Sequence, residues 1–418
     1  MRLSWLWTRP RWQYLLAVIF LAQLLTAIGF STVFPFLPLY IEELGSTTGM
    51  SVEVGAGLVI SLQALTMAIA APIWGAIADR YGRKLMSMRA QFGGAILLVL
   101  MGLVTSTEQL ILLRAIQGLV TGTVAANNAL VASAVPRNRV GLAMGTLQVG
   151  LWAGIAIGPL MGGALADSFG FSVPFMITAV MLFVGGLLIY FGVQEDFEPE
   201  KAKHDKESTG IVSMFVSQWR HVLAAEGVVF VLMLRFLVGV ARNMILPIAP
   251  LFVVALLPPD ASGENSAAGL VIAASSATAT FSGVYLGRLG DRVGHRLILI
   301  ACSAASVLFY IPQVFVSDVT QLLLLQGLSG FAAGGLIAAP AALLANYTDQ
   351  GEEGAVFGID NAIVAGARSV APLVGSAIAL GFGLRGTFGA TAFVFVLVMA
   401  AAMLLLPDDA KQKRNVPV

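Results

Sequence analysis

The strongest constraint on this chain is a series of apolar runs, each long enough to cross a lipid bilayer as a helix. They fall at 13–40, 54–78, 85–106, 109–135, 141–166, 171–193, 226–257, 267–290, 296–316, 319–346, 354–380 and 384–406. About 20 apolar residues in helical form span a hydrocarbon core of roughly 30 Å, so twelve crossings are expected. Inside hydrocarbon every backbone polar group must find an internal partner, and runs of this length meet that demand as helices. Only 11% of the 418 residues are charged, less than half the roughly 25% usual in soluble domains. A water-soluble enzyme is excluded, and the expected fold class is an all-α membrane protein.

An even number of crossings puts both termini on one side, and the distribution of Lys and Arg in short loops says which. Loops on the terminal side carry Arg80, Arg83 and Lys84, then Arg137 and Arg139, then Lys201, Lys203, Lys206 and Arg220, then Arg288, Arg292 and Arg296, with Lys411, Lys413 and Arg414 at the end. The opposite loops hold Arg385 as their base and carry the acids Glu42, Glu43, Glu53, Glu108, Asp167, Asp260, Glu264 and Asp318. Both termini are therefore expected in the cytoplasm. Arg2, Arg9 and Arg11 precede the first run as in a secretory signal, but that run is too long and lacks a small-residue cleavage site, so it reads as a retained helix. A net charge of +1 offers no basic face to nucleic acid. One cysteine, Cys302, and three histidines in or beside inner loops, His204, His221 and His295, offer no metal site and no nucleophilic triad. No phosphate-cradling loop for ATP is present. No cofactor is expected, and the energy for any work must come from a gradient.

The two halves repeat each other. Pro35-Phe36-Leu37-Pro38-Leu39-Tyr40 returns as Pro247-Ile248-Ala249-Pro250-Leu251-Phe252, and Asp79-Arg80-Tyr81-Gly82-Arg83-Lys84 returns as Asp291-Arg292-Val293-Gly294-His295-Arg296, both at an offset of 212. Gln117-Gly118-Leu119 pairs with Gln326-Gly327-Leu328 at 209, and Pro159-Leu160 with Pro372-Leu373 at 213. Such order implies two six-helix bundles related by an axis along the membrane normal. The expected division is a first bundle at 1–193, a cytoplasmic linker at 194–225 and a second bundle with a short tail at 226–418. Within the linker, 211–223 sets Met214, Phe215 and Trp219 beside Arg220 and His221. That pattern suits an amphipathic helix on the inner surface and equally an ordinary polar hinge.

These residues resemble the major facilitator superfamily of secondary transporters over the whole chain. The segment Gly75-x-x-x-Asp79-Arg80-x-Gly82-Arg83-Lys84, with its second copy from Gly287 through Asp291 and Arg292 to Arg296, is similar to the superfamily's cytoplasmic gating loop. Leu113-Arg114-Ala115-Ile116-Gln117-Gly118 looks like the embedded-arginine motif of proton-linked members. Gly150, Gly154, Gly158, Pro159, Gly162 and Gly163 match the motif of exporters. The run Pro35 to Leu44, with Asn127-Asn128 and Val135-Pro136-Arg137, is similar to the twelve-span drug/proton antiporters, within which it resembles bacterial multidrug efflux proteins. The resemblance implies a monomer in a bacterial inner membrane, its partners being lipid, protons and a small amphipathic substrate. It also implies that Asp79 contacts the start of span eleven. Many relatives carry an acid near the inner end of span four, where this chain has Ser133 and Ala134, so the loop arginines lack that partner.

Physical chemistry adds a reading of each motif. Glycines four apart share one helical face and let a neighbouring helix approach closely, and Pro159 interrupts the ladder, so span five suits a hinge or simply tight packing. Embedded charges are Arg114, Arg235, Arg242, Asp360 and Arg368, and charge in a bilayer is costly enough to be a functional candidate by default. Arginine does not release its proton, which leaves Asp360 as the group able to cycle one. Exchanging an apolar surrounding for an arginine neighbour would load and release H⁺; alternatively Asp360 and Arg235, at compatible depths, form a static ion pair. Cavity candidates are Phe34, Asn127, Asn128, Trp152, Asn243, Met244 and Asn361. The expected function is export of amphipathic small molecules or drugs in exchange for protons by alternating access. The alternatives are export or flipping of neutral or anionic lipid-like amphiphiles, and facilitated metabolite transport on the same fold.

Overall fold

The computed structural model describes residues 11–136, 139–195, 227–258, 261–347 and 353–406. Nearly all of the linker, with the 211–223 segment, lies outside these, as do Arg137, Asn138, Asp260 and the tail. The elements among the described residues are helices: α1 Arg11–Thr32, α2 Leu37–Leu44, α3 Val52–Tyr81, α4 Arg83–Met101, α5 Thr107–Val120, α6 Thr123–Ala134, α7 Val140–Phe169, α8 Ser172–Gly192, α9 Val228–Asn243, α10 Ala249–Leu256, α11 Glu264–Val293, α12 His295–Gln313, α13 Val319–Asn346 and α14 Glu353–Leu405.

Ten of the described helical stretches are long and apolar enough to cross a membrane, and the difference from the expected twelve has two causes. The run at 226–257 is broken into α9 and α10, of 16 and 8 residues, because Pro247 withholds an N–H where the chain turns. In α14 the apolar stretch Gly358–Leu405 covers 48 residues, about 72 Å at 1.5 Å per residue. That is far beyond one bilayer, and Gly383 interrupts it with φ 75°. The first run breaks like the seventh, between α1 and α2 at Pro35. The run at 109–135 also splits, between α5 and α6 at Gly122, whose φ of 124° suits a residue without Cβ.

The chain forms two compact units, one of 1–55, 62–203 and 260–273, the other of 56–61, 204–259 and 274–418. In the first, α1 packs on α6, α7 and α8, and α4 packs on α5, α6 and α8. Its centre is a cluster that includes Ile19, Leu130, Leu147 and Ile189. The α1–α7 contact depends on small residues. A Cβ at Gly154 would lie 2.5 Å from that of Ala27, and at Gly158 and Gly162 it would strike the backbone of α1 at Ile28 and Thr32. In the second unit α9 packs on α13 and α14, and α12 packs on α13 and α14.

Contacts sharpen the internal repeat. The Thr66 hydroxyl donates to the Ala115 carbonyl at 2.8 Å, and Thr278 donates to Gly327 at the same distance. Gly118 is pressed against Thr66 and Gly330 against Thr278, and the side chains of Ser106 and Asp318 cap α5 and α13. Every one of these pairs is offset by 212. The offset of 209 read from Gln117-Gly118-Leu119 is therefore three residues off, because two Gln-Gly-Leu triplets happen to lie one helical turn apart. With the corrected register, Arg114 corresponds to Gln326.

Candidate functional site

In the second unit, Arg235 on α9 meets Asp360 on α14. Its Nε donates to Oδ1 at 2.8 Å and its Nη2 to Oδ2 at 3.1 Å, a two-pronged pair, while Nη1 donates to the Ile337 carbonyl at 2.9 Å. Asp360 is 4% exposed, so its charge depends on Arg235 for compensation. Arg242, two turns beyond Arg235, is within Coulombic range of Arg235, Arg368 and Tyr310. Three guanidinium groups thus lie within range of one another, and one of them, Arg235, holds the carboxylate. Of the polar groups nearby, Asn243 donates to the Gly239 carbonyl at 2.7 Å, Asn361 is exposed, and Met244 is buried, its backbone against Gly375.

In the first unit Arg114 is 3% exposed. Its Nη1 donates at 3.2 Å to Oε1 of both Gln63 and Gln117, and Gln63 donates to Gln117 at 3.0 Å. Its Nε and Nη2 meet no acceptor among the described residues. A second cation, Arg89 on α4, lies 3.4 Å over the Trp74 ring and donates to the Thr121 carbonyl at 3.4 Å. Sequence reading missed Arg89 because it falls near a span end, where positive charge is ordinarily explained by orientation. Asn127, expected at a cavity, is wholly buried; it accepts from Ser87 at 2.6 Å and donates to Gln23 at 3.4 Å, so it joins helices. Asn128 and Trp152 are half-buried. Phe34 is half-buried too and sits edge-on to Phe30 at 5.4 Å.

The two copies of the loop motif act as docking points, one in each unit. Gly82 (φ 99°) and Gly294 (φ 98°) turn the chain between helices. Lys84 Nζ donates to the carbonyls of Tyr190 and Val193 at the end of α8, and Arg296 Nη2 to Met403 at the end of α14. Helix C-termini carry partial negative charge, so a cation there is favourable. Glu195 accepts from the backbone N–H of Arg83 at 3.0 Å and of Lys84 at 2.8 Å, capping α4. Asp291 pairs with His295 at 3.1 Å, Arg80 and Arg292 are exposed, and Gly75 has open space beside it. The Asp79 side chain lies outside the described residues. Of the exporter-motif glycines, Gly150 meets the Phe20 ring, Gly154, Gly158 and Gly162 meet α1, and Gly163 meets the Asn265 backbone at the start of α11; Pro159 is buried within α7.

The family model described as Major Facilitator Superfamily matches residues 19–257 and 231–417. The chain belongs to the major facilitator superfamily. It is 39% identical over 383 residues to multidrug resistance protein MdtG of Salmonella arizonae, covering 92% of this chain and 93% of that one. It is 38% identical over 393 residues to MdtG of Citrobacter koseri, covering 92% of each. Among solved structures, a bacterial homologue of the human lysosomal transporter Spinster superposes with a TM-score of 0.78 at 15% identity, over 95% of this chain and 97% of that one. The nucleoside transporter NupG gives 0.76 at 13% identity, over 94% of this chain and 98% of that one. These two show the fold alone. This superfamily member is a multi-pass membrane transporter rather than an enzyme.

Proposed function

We propose that this transporter exports amphipathic small molecules of the drug class from the cytoplasm of a bacterium, across the inner membrane, in exchange for protons. Both termini face the cytoplasm, the protein works as a monomer by alternating access, and no cofactor takes part. The identity to MdtG proteins across nearly the whole chain supports the substrate class. Coupling rests on one observation: Asp360, a carboxylate within a membrane helix, is held two-pronged by Arg235. Outward movement of substrate would follow when the pair opens, Asp360 takes a proton and Arg235 is released; re-forming the pair expels the proton. Accumulation of a fluorescent dye inside everted vesicles, which is extrusion from the cytoplasmic face, tests this. Collapse of the proton gradient and Asp360→Asn should each stop extrusion, and extrusion that ignores both overturns the scheme.

The excess of embedded arginines, Arg114, Arg235, Arg242 and Arg368, over the embedded carboxylate Asp360 favours neutral or anionic amphiphiles over cationic dyes within the same function. Efflux of a cationic panel with no response to anionic amphiphiles would contradict that preference.

A further inference from the structure

The break between α5 and α6 creates a feature that the second half of the chain lacks. Beside it is a cavity of about 30 Å³ whose wall includes Arg114, Gln117, Thr123, Phe30, Leu98 and Leu182, room for one or two water-sized particles. Arg114 brings Nε and Nη2 without acceptors. Thr123 is the first residue of α6, and the first-turn N–H groups of a helix have no intrahelical acceptors and concentrate positive potential. Guanidinium and helix start therefore converge on one small space. The Gln117 carbonyl oxygen is already taken up by Arg114 and Gln63, and the Thr26 hydroxyl is taken up by Ala22 and Gln91. Thr121, the C-cap of α5, also lines the cavity, and Arg89 takes up its carbonyl at 3.4 Å.

The internal repeat supplies a control. At the place of Arg114 the second half has Gln326, which is neutral and donates to Gln313 at 3.0 Å. At the place of Gly122 it has Gly334, which lies inside the unbroken α13. Both ingredients of positive potential occur together in the first unit and are both replaced in the second.

We propose that the Arg114 pocket binds a small monovalent anion of halide size, chloride under ordinary conditions, which serves as the missing counter-ion of this guanidinium. A buried charge left uncompensated costs several kcal/mol, and an anion between an arginine and a helix N-terminus is favoured by both. The cavity is far smaller than a whole drug-sized molecule, which separates this ion from the transported substrate. The site therefore stands whether or not the export reading does.

The test uses purified full-length transporter in detergent at fixed ionic strength, with gluconate replaced stepwise by chloride or bromide. Saturable thermal stabilisation by both halides is expected, at least tenfold weaker in Arg114→Gln and partly restored in Arg114→Lys. Crystals grown in bromide should show an anomalous peak between Arg114 and Thr123. A halide response no greater than that of gluconate, one that survives Arg114→Gln unchanged, or bromide-grown crystals without that peak overturns the proposal. Stabilisation by sulfate equal to that by bromide overturns the size argument.

Discussion

Replacing Asp360 with Asn keeps the side-chain volume but removes the charge that Arg235 depends on. The carboxylate accepts two bonds from Arg235, at 2.8 and 3.1 Å. An asparagine can satisfy one of them and turns an amide donor toward the other guanidinium nitrogen. Removing one partner of a buried pair costs about 3–5 kcal/mol. The value here should fall near the low end, about 3 kcal/mol, because Arg235 keeps its bond to the Ile337 carbonyl and membrane-unfolded states also find partners. Arg235→Gln should cost about as much by stranding the carboxylate. The double variant carries no charge and can join two amides, so its loss should be smaller than that of either single change. Reversible unfolding in mixed detergent micelles of the four proteins measures the coupling. Additivity within about 0.5 kcal/mol would refute the claim that the pair is held as one unit.

Other outcomes follow from the same geometry. Gly162→Val drives a side chain into the Thr32 backbone and should abolish assembly of the α1–α7 contact, read as loss of monodisperse protein, whereas Gly145→Ala meets open space and should leave yield and stability unchanged. Lys84→Ala removes a cation from the end of α8 and should lower stability by about 0.5–1 kcal/mol, with Lys84→Arg largely retaining it. Arg114→Ala is expected to abolish dye extrusion while the protein still inserts in the membrane; near-normal extrusion would remove Arg114 from the mechanism.

Much of the fold was legible because hydrocarbon permits few solutions, and apolar length marked where the membrane helices lie. Less legible were the breaks. Pro35 and Pro247 are local signals for them, but Gly122 reads like any of the chain's 45 glycines until its φ is known. The Arg235–Asp360 contact could be anticipated from depth and scarcity, since a lone embedded acid must find a cation. Asn127 was misread for the opposite reason, because a neutral amide pairs with other neutral groups and Gln23 and Ser87 lie far from it in sequence. Glu195 escaped notice as one charge in an acidic and basic linker, and only three-dimensional proximity to the start of α4 reveals its capping role. The register of the repeat shows how a short identical string can mislead where contacts do not.

In the proposed cycle Asp360 carries the proton exchanged for substrate. Proteoliposomes containing a trapped pH indicator, challenged with an exported amphiphile in the absence of any imposed gradient, test it most directly. The account predicts substrate-driven proton movement with wild-type protein, and none with Asp360→Asn, which should still exchange labelled for unlabelled substrate. Substrate-driven proton movement that persists at the wild-type rate in Asp360→Asn would contradict it.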